Sequence, residues 1–64
     1  MSAYRNIVAE YPLFETGGMV IIYEEDSKFT VEAKDENEDV FLTSRNIETL
    51  DAANHKAKEL SYIF

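Results

Sequence analysis

Residues 29–60 read FTVEAKDENEDVFLTSRNIETLDAANHKAKEL, and the side-chain period changes within them. Phe29, Val31 and Ala33 alternate with Thr30 and Glu32, the two-residue repeat of a strand with one buried face. Further on, Ile47, Leu50, Ala53, Ala57 and Leu60 recur at three- and four-residue spacings, the stripe of an amphipathic helix. Thr49 is placed to cap it, with Asp51 in its first turn and Lys56 and Lys58 later, the charge order a helix dipole favours. Between the two lie a polar turn, Lys34 to Glu38, and a further strand, Asp39 to Thr43. In that strand Val40 and Leu42 are expected on one face and Phe41 on the other. A sheet followed by a helix predicts the α+β class, with the alanines of the stripe letting the helix lie close.

Toward the N-terminus, Met19 to Tyr23 reads as another strand, ended by Glu24-Glu25-Asp26-Ser27-Lys28 and preceded by the Gly17-Gly18 turn. Short strands joined by turns of about five residues form an antiparallel meander. The prediction is a three-stranded antiparallel meander packed against a C-terminal helix. Residues 1–14 add a short N-terminal helix or strand. Tyr4, Ile7, Val8 and Tyr11 fall on a helical stripe that Pro12 ends, and helix is the favoured reading. A strand over Asn6 to Ala9 competes, because Ile-Val is a β-branched pair. Met19 to Tyr23 is apolar on both faces, whereas a sheet covered on one side alternates. Either the N-terminal segment covers its second face or a partner does.

The whole chain has 64 residues, no cysteine, and thirteen Asp and Glu against six Lys and Arg, a net charge of −7. One small domain fits that length. A cysteine-free chain has no disulfide scaffold and suits a reducing compartment. The longest apolar run, Met19 to Tyr23, is far short of the roughly 20 residues of a membrane-spanning helix, and no signal-peptide pattern opens the chain. The expected location is the cytoplasm. Direct nucleic-acid binding is disfavoured, since it draws on Lys and Arg releasing counterions. A basic protein surface is the complementary partner.

Familiar chemistry is hard to find. Asp35, Asn37 and Asp39 match the start of a calcium loop, but its sixth and twelfth positions hold Val40 and Asn46 instead of Gly and Glu. His55 with Glu59 makes an i, i+4 pair, yet a zinc site needs three or four protein ligands and no Cys or second His exists. Ser27 and Ser44 lack a nucleophile-elbow context, and Gly17-Gly18 lacks the phosphate-loop pattern. No enzyme, metal or cofactor is expected. The carboxylates are the remaining signal. Glu24, Glu25 and Asp26 occupy one turn, and Asp35, Glu36, Glu38 and Asp39 the next, at opposite ends of strands about 17 Å long. Glu32 projects between them. These residues are the expected partner-binding set, a negative strip able to imitate a phosphate backbone.

Phe29-Thr30-Val31-Glu32-Ala33 followed by Ala52-Ala53-Asn54-His55-Lys56-Ala57-Lys58-Glu59-Leu60 resembles the second half of a double-stranded-RNA-binding domain, which implies an αβββα order. That family's RNA contacts come from lysines opening the last helix. Here Thr49, Leu50 and Asp51 stand there, so the resemblance implies the fold and not the RNA. The chain is also similar in kind to small acidic phage-encoded inhibitors, of the anti-CRISPR and host RNA polymerase inhibitor types. Several of these pair a short sheet with a helix opened by a segment like Glu48-Thr49-Leu50-Asp51-Ala52-Ala53. That likeness implies a non-enzymatic inhibitor docking on a basic, nucleic-acid-binding protein. The alternative is a small interaction module or homodimeric subunit using strand 19–23 and the Tyr62-Ile63-Phe64 tail.

Overall fold

The computed structural model describes residues 5–64. Four strands form one antiparallel sheet in chain order, β1 (Asn6–Pro12), β2 (Met19–Glu25), β3 (Lys28–Lys34) and β4 (Val40–Ile47), followed by helix α1 (Leu50–Ile63). The class is α+β as expected, but the meander has four strands where three were expected.

The fourth is the N-terminal segment. Asn6–Pro12 is a strand, so the favoured helix is overturned. Ile7 and Val8 are β-branched, and the edge of β2 offers hydrogen bonds that a short isolated helix would have to do without. A bulge between Ile7 and Ala9 shifts the register. Ile7 faces Tyr23 on the open side of the sheet, while Ala9 and Tyr11 pair with Ile22 and Val20 on the helix side. Ile7 and Tyr11 therefore face opposite sides of the sheet, and their helical spacing marks no common face; Tyr4 lies outside the described residues. Pro12 ends β1 at the sheet edge, where a missing donor is tolerated. The Tyr11 hydroxyl donates to Asn54 Oδ1 at 2.7 Å and ties the strand to α1.

One turn differs from expectation in length. β2 and β3 are joined by two residues alone, since Glu25 pairs with Lys28. Asp26 and Ser27 both adopt positive φ, 51° and 65°, the primed geometry whose twist matches a hairpin. β4 runs on to Ile47, beyond the expected Thr43, so Ile47 closes the sheet opposite Phe29 instead of opening the helix. An irregularity in the β3–β4 register, between the pairs Ala33–Leu42 and Lys34–Val40, displaces Phe41. Phe41 stacks edge-on against Phe64 of the C-terminus, 5.1 Å between centroids, and so does not occupy the expected opposite face.

The helix begins where expected. Thr49 Oγ1 accepts from the Ala52 N–H at 3.1 Å. Ala53, Ala57 and Leu60 are buried with Leu13, Val20, Ile22, Val31 and Ala33 in the core. Phe29 and Leu42 pack against its edge. Val40 and Leu50, also expected inside, are exposed, Leu50 by 39%. Leu50 is the first helical residue and Val40 opens an edge strand, so both sit at the rim of the layer. The loop after β1 closes the other end. Phe14 N–H donates to Ser61 O and Thr16 N–H to Phe64 O, and the Ser61 hydroxyl donates to Pro12 O. C-terminal helix carbonyls that would otherwise lack partners are thereby satisfied. Gly18 is required there: a Cβ would lie 1.9 Å from the Lys34 carbonyl oxygen.

Only one face of the sheet carries the helix. On the other, Ile21 is flanked across the strands by Glu10 and Glu32 and is 7% exposed. The described part of the N-terminal segment pairs beside β2 from Asn6 onward; residues 1–4, which belong to the same expected cover, lie outside the described residues.

Candidate carboxylate surface

The expected acidic residues fall in three places with different chemistry. At the β2–β3 end, Glu24 and Asp26 are exposed. Glu25, between them, approaches Arg5 Nε to 3.8 Å. In the middle of the open face, Glu32 accepts from Arg5 Nη2 at 3.0 Å, with its side chain only 13% exposed. The Arg5 guanidinium also lies over the Tyr23 ring, 3.9 Å from its centroid. Its pKa is raised above the ordinary arginine value, first by the hydrogen bond to Glu32, and burial opposes the rise. The strip is therefore interrupted: its central carboxylate already has a cation.

At the opposite end the β3–β4 turn is built on Asp35. Its Oδ1 accepts from the Asn37 N–H at 2.8 Å and the Asp39 N–H at 3.0 Å. The backbone closes the same loop, Glu38 N–H to Asp35 O and Asp35 N–H to Asp39 O. Asp35 is thus a turn-forming residue. Glu36, Glu38 and Asp39 are exposed. Glu36 and Glu38 line an open hollow of about 290 Å³ together with Glu10, Met19, Ile21 and the cation Lys34. Among the described residues no group of three or more His, Cys, Asp or Glu is arranged to hold a metal ion.

Arg5, Tyr23 and Glu10 fall outside the partner-binding set expected from the sequence. A strand reading of 6–12 paired with β2 places Glu10 beside Ile21; Arg5 carries no local signal, because its partners are on β2 and β3. Charge is also segregated. α1 holds Asp51 and Glu59 against Lys56 and Lys58 and is neutral, so the whole net charge of −7 belongs to the residues before it. Val20, Ile21 and Ile22 are buried within the chain, whereas Phe14, Tyr62 and Ile63 are exposed by 66%, 77% and 57%. Phe14 and Tyr62 lie 5.9 Å apart between centroids. Among the described residues no helix is long and apolar enough to cross a membrane. Comparison with protein-family models, with curated proteins and with solved structures gives no match.

Proposed function

We propose that this chain is a non-enzymatic inhibitor that docks its acidic sheet and turns on a basic, nucleic-acid-binding protein, in the place of a phosphate backbone. The observation that carries the reading is the segregation of charge: a neutral helix on one side and the entire −7 on the sheet and its turns. A field so directed steers association with a basic surface. The residues free to act are Glu24 and Asp26 at one end and Glu36, Glu38 and Asp39 at the other. Asp35 holds its turn and is not available.

The test is calorimetry against the protein captured from host lysate, at two salt concentrations, with duplex DNA as competitor. Glu36→Lys/Glu38→Lys, or Glu24→Lys/Asp26→Asn, is expected to weaken binding at least about tenfold, a loss of roughly 1.4 kcal/mol. The fold stays intact, since exposed substitutions change stability by about 0.5 kcal/mol. Salt and DNA should weaken binding in the same direction. Unchanged affinity in both variants removes the acidic turns from the interface.

A second reading rests on the exposed Phe14, Tyr62 and Ile63 corner. It keeps the C-terminal tail as the contact of an interaction module, anchored on aromatic side chains of the kind that dominate interfaces. Insensitivity to salt together with loss on Tyr62→Ala favours this reading over the first.

A further inference from the structure

The open face holds a receptor for a guanidinium group, and the chain fills it with its own. Tyr23 and Glu25 stand two residues apart on one face of β2. Glu32 on β3 is the diagonal neighbour of Tyr23, whose direct partner is Thr30. The ring offers a face to a flat cation, and the two carboxylates receive its edge, at 3.0 Å from Glu32 and 3.8 Å from Glu25. Such a frame suits a planar fork of N–H donors and not the compact ammonium of lysine. The Glu32 side chain, only 13% exposed, is costly to leave without a partner.

Receptor and occupant differ in how firmly they are held. β2 and β3 are the two inner strands, paired along their whole length. Arg5 precedes β1, an edge strand whose pairing with β2 begins at Asn6. Lifting Arg5 gives up its own contacts and leaves the sheet ladder in place. Local opening of this kind at a strand end lies at the low end of the free-energy scale.

We propose that Tyr23, Glu25 and Glu32 form an arginine-recognition site for the basic partner protein, and that Arg5 is its displaceable internal occupant. This rests on the reading of the chain as a binder of a basic protein and adds to it the residue type recognised and the place. Arg45 lines the adjoining hollow of about 160 Å³ with Arg5, Glu25 and Thr30; its like charge limits the site to a single incoming cation. A tethered Arg5 competes at an effective concentration on the order of millimolar. A partner arginine therefore displaces it only when delivered alongside further contacts, such as those of Glu36 and Glu38.

The probes are N-acetylarginine amide and N-acetyllysine amide, titrated while the Tyr23 ring and Glu32 amide signals are followed by NMR. Arg5→Ala is expected to bind the arginine probe about tenfold more tightly than the unaltered protein, with the lysine probe markedly weaker. Arg5→Ala/Glu32→Gln should lose the gain. Equal affinity in the unaltered protein and Arg5→Ala, or equal response to the two probes, overturns the proposal and makes Arg5 a purely structural clamp. Should Arg5→Ala not fold, Arg5→Lys replaces it, with the same gain for the arginine probe expected and the same equality overturning it. Glu36→Lys/Glu38→Lys should leave these probe affinities within about twofold, since the turn lies outside the site. The site and the acidic-turn reading therefore fail separately.

Discussion

Single residues at the two turns carry conformations that their side chains do not prefer. Ser27 sits at φ 65° in a two-residue hairpin, a left-handed position where a Cβ costs roughly 1–2 kcal/mol and glycine costs little. Ser27→Gly is expected to stabilise the protein by about 0.5–1 kcal/mol after the extra entropy of an unfolded glycine is allowed for. For a domain this small that is a rise of several degrees in Tm, read by circular dichroism; no rise would mean that the turn is not formed in solution. Arg5 is the other decisive residue. Its raised pKa means that its charge contributes stability below the unfolded arginine pKa, and that this is lost only as pH rises through the folded value. Across the neutral range Arg5 therefore adds no pH dependence of its own. The salt bridge of Lys28 Nζ to Glu48 at 3.2 Å joins two exposed side chains and is of the kind that adds little.

The elements depend unequally on the helix that covers them. Ala53 and Ala57 are wholly buried, and their small size brings the α1 backbone close to β2 and β3, leaving Leu60 as the large side chain that fills the space. Leu60→Ala is expected to cost about 2–5 kcal/mol, enough to unfold a thin-cored domain in part at room temperature. Leu50→Ala, at the exposed start of the same stripe, should cost less than about 1 kcal/mol. Urea denaturation separates the two; equal losses would mean that Leu50 is packed in solution. The periodicity of α1 treats both leucines alike, and their difference comes from where the sheet ends beneath the helix. β1 shows the same limit on a local reading. Its residues carry a helical stripe, but the free edge of β2 turns them into a strand, and the bulge sends Ile7 and Tyr11 to opposite faces.

At the scale of the molecule, net charge opposes folding and favours the binding proposed above. Eleven carboxylates and four cations precede the neutral helix, and their mutual repulsion opposes the folded state. Raising salt from about 0.01 M to about 0.5 M shortens the screening length from roughly 30 Å to well under 10 Å. Tm is expected to rise across that range while affinity for a basic partner falls. A falling Tm would show that the ion pairs of Arg5 and Lys28 outweigh the repulsion. The segregation that weakens the fold also leaves the exposed Phe14, Tyr62 and Ile63 corner beside the end of the neutral helix rather than on the charged face.

The order of amino acids alone determined what depends on neighbours a few residues away. That includes the alternation of β3, the cap and buried stripe of α1, the polar turns, the sign of the surface and the sheet-plus-helix class. Tertiary structure decided whatever depends on a partner far along the chain. Whether residues 6–12 form helix or strand turns on the open edge of β2, and whether Phe41 lies inside or outside turns on the irregular β3–β4 register. The site divides in the same way. The acidic turns are legible as runs of like residues. That Asp35 serves its own loop, and that Glu25 and Glu32 already hold a guanidinium, follows from hydrogen bonds and contacts that no local pattern encodes. Side-chain period is a property of a segment, whereas charge pairing is a property of the folded surface, and here the second decides which carboxylates remain free.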